Sequence, residues 1–309
     1  MRAPRHLRGA PGTLIQMDPI VILFGLGVGI LVGLTGIGGG SLMTPLLILV
    51  GGYSPVVAIG TDLAYGAITK TVGGWRHLRS GTVDLGVSKW LAVGSVPGSI
   101  AGVLIVDALH DRYGDGFDST LLSIVAVALF VVAFSVLGRA LFGVPRERHS
   151  VPLTTGAKVG AAGIGLVLGV VLGMTSVGSG ALVGLALIMV FRLTPHRVVG
   201  TDVFHAALML WAAGLAHLLV GNVDLTLMAN ILVGSLPGVC VGTALLPRVP
   251  AGALRPTLGC VLLGSALGVV SKAGVDIPKW TIVAVPALVG LLAFAIVRLR
   301  TRAPEVVTA

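Results

Sequence analysis

Gly33-Leu34-Thr35-Gly36-Ile37-Gly38-Gly39-Gly40-Ser41 interrupts an apolar run that extends from about Pro19 to Val50. As one helix that run would be about 48 Å long, far more than the roughly 30 Å core of a bilayer. The glycines divide it. The pattern predicts one helix over about 19–35 and another over about 41–51, with Ser41 near the start of the second. The same pattern returns at Gly173-Met174-Thr175-Ser176-Val177-Gly178-Ser179-Gly180-Ala181, 140 positions later (173 − 33). A glycine-rich break inside a hydrophobic segment, present in both halves of a chain, points to a membrane transporter with its binding site at the breaks.

The similarity extends beyond the breaks. Gly33 to Gly102 aligns without a gap on Gly173 to Gly242, with roughly a third of positions identical. Pro55 matches Pro195, Gly60-Thr61-Asp62 matches Gly200-Thr201-Asp202, His77 matches His217, and Asp84 matches Asp224. Gly94-Ser95 and Pro97-Gly98 match Gly234-Ser235 and Pro237-Gly238. Biased composition would produce scattered Gly and Leu matches, not Thr-Asp, His and Asp in register.

Composition excludes a soluble domain. The 309 residues are 55% hydrophobic and only 11% charged, with a mean hydropathy of +1.02; soluble domains are about 25% charged. Gly 46 and Pro 16 suit membrane helices, which tolerate both. The net charge of +9 is scattered over short loops and both termini, with no basic stripe or aromatic platform for nucleic acid. Cys240 and Cys260 lie in apolar segments and read as small buried hydrophobes; no spacing suggests a metal or redox pair. Arg2, Arg5 and Arg8 before an apolar run imitate a secretory signal. That run instead leads into the glycine stretch, whose second copy is internal. Met17 stands just before the repeated region and is an alternative start.

Ser54 before Pro55 reads as a helix N-cap, with the helix continuing to about Gly74. Arg76, His77 and Arg79 are expected in a basic loop. A helix follows over about 85–106, then a polar loop with Asp107, Asp111, Arg112, Asp115 and Asp118, then a span over about 119–142. After the second copy, spans at about 253–271 and 281–299 close the chain. The resulting division is an N-terminal extension (1–18), a first transmembrane repeat (19–142), a cytoplasmic linker (143–156), a second repeat (157–272), a last helix (280–300) and a tail (301–309).

Loop charge orients the halves, because short cytoplasmic loops carry excess Lys and Arg. The Arg76–Arg79 and Arg139–Lys158 loops read as cytoplasmic, and the Asp-rich loop 107–118 as external. If each broken run crosses once, Arg192/Arg197, Arg248/Arg255 and the C-terminal arginines all fall outside, against the rule. If each broken run is a hairpin that returns to its own side, the halves are inverted and all of those loops fall inside. The expected class is therefore an all-α polytopic membrane protein, with two homologous halves in inverted topology and glycine-broken helices or hairpins at the midplane.

The helices that begin near Ser41 and Ala181 would present free backbone N–H groups and partial positive charge to an anion. Glycines allow close approach. The expected substrate-binding residues are Thr35, Gly36, Gly38, Gly39, Gly40, Ser41, Thr175, Ser176, Gly178, Ser179, Gly180 and Lys70. Asp62 and Asp202 each lie eight residues past a helix start, about 12 Å into the membrane. Intramembrane acids are costly and mark function, so both are expected to couple transport to an ion. The alternative is that they tie the broken helices together through hydrogen bonds. Lys70, eight residues after Asp62, is expected to pair with it or to attract an anion. His77 and His217 are placed at helix ends, and Asp84 and Asp224 as N-caps. Gly25-x-Gly27-x-Gly29 imitates part of a dinucleotide fingerprint but lacks the strand–turn–helix context. No catalytic, cofactor or metal cluster is expected.

The duplicated glycine segment, the Pro-x-x-x-x-Gly-Thr-Asp that follows it (Pro55 to Asp62, Pro195 to Asp202) and the Gly-Ser-x-Pro-Gly beyond (Gly94 to Gly98, Gly234 to Gly238) resemble the sulfite exporter TauE/SafE family of bacterial permeases. The resemblance covers about 20–300. It implies ion-coupled transport of sulfite or related sulfur-containing and small organic anions across the cytoplasmic membrane. A passive anion channel is the alternative. Many members of that family carry Ser where this chain has Asp62 and Asp202. The partners implied are the anion and the bilayer, with a second copy of the chain as a candidate.

Overall fold

A computed structural model describes residues 17–35, 39–142, 154–245 and 251–302. The described residues form eleven α-helices and a single 3₁₀ turn over Gly114–Phe117. In order, the helices are α1 (Pro19–Thr35), α2 (Gly40–Leu49), α3 (Pro55–Arg79), α4 (Leu85–Tyr113), α5 (Asp118–Phe142), α6 (Thr155–Thr175), α7 (Leu182–Met189), α8 (Pro195–Leu219), α9 (Leu225–Leu245), α10 (Ala251–Lys272) and α11 (Thr281–Arg302). Five of them, α4, α5, α6, α8 and α9, are long and apolar enough to cross a membrane. With 10 and 8 residues, α2 and α7 reach only about 15 and 12 Å. Neither spans a bilayer core alone.

Local rules explain the helix starts. Pro55 and Pro195 occupy the first turns of α3 and α8 behind extended Ser54 and Thr194, whose hydroxyls make no capping bond. Asp84 and Asp224 cap α4 and α9, accepting from the Val87 and Leu227 amides at 3.0 and 2.9 Å. Each capped turn also reaches the neighbouring helix. The Asp84 amide donates to Thr201 Oγ1 (2.8 Å) and the Asp224 amide to Thr61 Oγ1 (3.0 Å).

Glycines set the packing. The most extensive helix pairs are α4 with α6 and α1 with α9, followed by α3 with α8. Gly94, Gly98 and Gly102 lie on the backbone of Ala162, Leu166 and Val170, and Gly165, Gly169 and Gly173 on that of Leu91, Ser95 and Ser99. Along the other seam, Gly25, Gly29 and Gly33 meet Ile231, Ser235 and Val239, while Gly234, Gly238 and Gly242 meet Ile22, Leu26 and Ile30. Numbers rise together, so both pairs run parallel. Any Cβ at these positions would strike backbone. Small residues are how membrane helices approach this closely, since lipid offers no hydrophobic drive between them. The imitation fingerprint at 25–29 is thus half of a packing seam; Gly27 between them faces open space. In the α3/α8 pair the order reverses, with Gly60 beside His217, Gly66 on Leu210, and Gly74 on Phe204.

Several expectations need correction. Arg76, His77 and Arg79 are not in a loop but in the last turn of α3, which continues five residues past Gly74. Asp107, Asp111 and Arg112 belong to α4, which extends to Tyr113. Polar residues at a helix end can stay helical where the end reaches the interface. Cys240 is exposed and Cys260 only half-buried. On a lipid-facing surface an apolar side chain needs no cover.

Candidate functional site

The two breaks converge. Thr175 ends α6, and Ser176 takes a left-handed conformation (φ 58°) that turns the chain before α7. A non-glycine residue is uncommon there and marks a constrained position. Gly40, the first residue of α2, packs directly on the Ser176 carbonyl oxygen, where a Cβ could not fit. Thr35's side chain and Gly36 to Gly38 lie outside the described residues. Of the remaining expected residues, Ser41, Thr175, Ser176 and Ser179 are buried. Ser176 and Ser179 join the polar contacts below, whereas Thr175 Oγ1 bonds back to the Val171 carbonyl in its own helix.

Asp62, the eighth residue of α3, is buried at this junction. Its Oδ2 accepts from Thr44 Oγ1 of α2 at 2.6 Å and from Ser176 Oγ at 2.8 Å. One carboxylate oxygen therefore ties both broken segments together. Its other oxygen, Oδ1, has no hydrogen-bond partner. Tyr65, one turn along and fully buried, stands against Gly39.

Asp202, the eighth residue of α8, has different company. The charges that act on it are Lys70 of α3 and Arg139 of α5. Lys70 is buried, and its Nζ donates to the Ser179 carbonyl at 3.1 Å. The Arg139 guanidinium reaches α7, 3.6 Å from where a Gly184 Cβ would stand. Asp202 Oδ1 has no hydrogen-bond partner. His205, one turn along, engages Ser95 Oγ of α4 through Nε2 at 3.1 Å.

Lys70 thus bonds to the second break, and its charge acts on Asp202. Along α3 it lies about 12 Å from Asp62, which carries it past the first break to the second. Arg139 was missed because a basic residue near the end of an apolar run reads as a loop marker. Thr44 was missed because its only signal was a polar residue eighteen positions before the acid. His77 and His217 do end their helices. His217 is fully buried, with Nε2 3.2 Å from the Gly173 carbonyl.

Buried acids, a buried lysine, and hydroxyls grouped around broken helices inside an apolar bundle are features of a solute pathway. The sulfite exporter TauE/SafE family matches residues 21–269. The chain belongs to this family. It is a multi-pass membrane transporter. The TauE/SafE chain is 39% identical over 257 residues to "Probable membrane transporter protein YjnA" of Bacillus subtilis, covering 81% of this chain and 99% of that one. It is 28% identical over 255 residues to "Probable membrane transporter protein YdhB" of the same organism, with 79% and 99% coverage. No solved structure matches.

Proposed function

We propose that this TauE/SafE protein is a secondary transporter for sulfite or related sulfur-containing and small organic anions, coupled to an ion. The anion is held where the two glycine-rich breaks meet, at the start of α2 and before α7. Thr35, Gly36, Gly38, Gly39, Gly40, Ser41, Thr175, Ser176, Gly178, Ser179, Gly180 and Lys70 form the site in this reading. Asp62 and Asp202 are the candidates for coupling. The observation that carries it is the convergence: one carboxylate bridges Thr44 and Ser176, and Lys70 reaches Ser179 from the opposite helix.

The halves are read as inverted repeats with each break at a hairpin tip. Three observations support this. First, α3 and its counterpart α8 run antiparallel. Second, the start of α1 and the end of α2 lie at one end of the bundle: the Asp18 amide donates to Asn230 Oδ1 near the start of α9 (2.9 Å). There, burial and the carboxylates of Asp224 and Asp18 also hold the Tyr53 phenol above its ordinary pKa. Third, Arg197 at the start of α8 pairs with Asp84 at 3.1 Å, joining two ends that loop charge assigned to the cytoplasm.

Flux into proteoliposomes under an imposed pH gradient, with sulfite, thiosulfate and sulfonates, tests the proposal. Accumulation that a protonophore abolishes is expected. Downhill flux indifferent to the protonophore would instead indicate a channel, and no flux of any of these anions would end the substrate assignment.

A further inference from the structure

We propose that the junction of the two breaks holds a sodium ion, ligated by Asp62, Thr44 and Ser176, beside the substrate anion. The ligands are set by contacts between the helices; the ion's service to the anion rests on the transporter reading above.

Three chain segments bring oxygens to this junction. Thr44 Oγ1 comes from α2, Asp62 from α3, and Ser176 from the turn after α6. Thr44 Oγ1 and Ser176 Oγ lie 2.6 and 2.8 Å from Asp62 Oδ2. Gly40 faces the same group. The point where its Cβ would stand touches the Ser176 carbonyl oxygen and is 2.9 Å from Ser176 Oγ and 3.3 Å from Asp62 Oδ2. Only a residue without a Cβ leaves these oxygens gathered here. Asp62 and Ser176 are each 1% exposed and Thr44 not at all. Asp62 Oδ1 has no hydrogen-bond partner among the described residues. Carboxylate, hydroxyl and carbonyl oxygens are the donor set of a hard cation, which takes them at about 2.3–2.6 Å. Unwound backbone between broken helices is also where transporters can coordinate sodium.

Charge decides between ions. Thr44 and Ser176 meet Asp62 with neutral hydroxyls, which leave the carboxylate's charge in place. The two helix ends here carry opposite partial charges, the negative end of α6 and the positive start of α2, and largely offset each other. One monovalent cation therefore neutralises the site, whereas a divalent ion would leave a buried net charge. A proton fits less well. On Oδ1 it would become a donor with no acceptor among the described residues. The second acid lacks this donor set, because the positions matching Thr44 and Ser176 are Gly184 and Gly36. One ion per chain follows. In the reading above the anion sits against Ser176 and Gly40, next to the Asp62 carboxylate, and like charges repel strongly in a low-dielectric interior. A sodium ion between them removes that repulsion. Sodium and the anion then raise each other's affinity, and uptake under a proton gradient needs sodium as well.

The test measures binding of radioactive sodium to the purified full chain in detergent, with choline holding the ionic strength constant. Wild type is expected to bind one sodium per chain, saturably and without competition from equal potassium. Thr44→Val should bind it about ten- to a hundredfold more weakly. Thr44→Ser, which keeps the hydroxyl, should bind as wild type does, and Asp62→Asn should bind none. No saturable binding in wild type, or wild-type affinity in Asp62→Asn or Thr44→Val, overturns the site. Because Asp62→Asn can fail to fold, wild type alone provides a second check. Sulfite or methanesulfonate should tighten sodium binding about tenfold; an affinity that neither changes overturns the ion's place beside the anion. The two readings fail separately. Sodium binding to a protein that moves no anion keeps the site and ends the transporter reading, whereas anion uptake as fast in choline as in sodium keeps the transporter and ends the sodium proposal.

Discussion

The two intramembrane acids occupy the same position in their helices and do not have the same surroundings. Asp62 is held by hydroxyls from both breaks, whereas Asp202 makes no such bond through its Oδ1 and lies in the field of Lys70 and Arg139. Around them several contacts of the scaffold match. Gly29 on Ser235 has its counterpart in Gly169 on Ser95, and Thr61 with Asp224 in Thr201 with Asp84. Around the acids the side chains differ. Thr44 corresponds to Gly184, Tyr65 to His205, and Lys70 to Leu210. The two halves thus share packing contacts while their two acids have different surroundings, hydroxyls around Asp62 and an unpartnered Oδ1 on Asp202.

Lys70→Leu, which copies the opposite half, should have the largest effect on this difference. Losing a hydrogen bond from a charged group costs about 1.5–3 kcal/mol, so the anion should bind about ten- to a hundredfold more weakly and uptake should fall accordingly; near-wild-type uptake would mean that Lys70 does not hold the anion. Thr44→Val tests the other centre. It keeps the shape and deletes the 2.6 Å donor to Asp62, so thermal unfolding in detergent should show a loss of about 1.5–3 kcal/mol. An unchanged midpoint would deny Asp62 its role as a tie.

The matched scaffold makes its own prediction. Gly29→Ala and Gly169→Ala both push a Cβ into a serine backbone on the facing helix. Each should cost about 1–3 kcal/mol, and the two should agree. Gly163→Ala, with open space around it, should be nearly neutral. Unequal seams would show that the asymmetry extends beyond the polar centres. The smallest effect is expected from Arg197→Gln, which removes a partly exposed ion pair with Asp84. Asp224 caps α9 without an ion pair among the described residues. The loss should stay below about 1 kcal/mol.

Most of the helical layout was legible from residues that act locally. Proline after Ser54 and Thr194, aspartate at 84 and 224, and glycines at the breaks place starts and stops by short-range rules. The ends of α3 and α4 were not legible, because Arg79 and Arg112 are polar without breaking a helix. At the candidate site, the burial of the acids could be read from their depth in apolar runs. Their partners could not. Lys70 and Ser179 are 109 positions apart and meet only through the packing of the helices. Arg139 looked like a boundary residue until α5 placed it beside α7.

Proton-driven accumulation of methanesulfonate in proteoliposomes tests the coupling role of the two acids most directly. Wild type should accumulate the anion under an imposed proton gradient, and Asp62→Asn and Asp202→Asn should lose that accumulation in whole or in part. Wild-type accumulation in both variants would contradict the account.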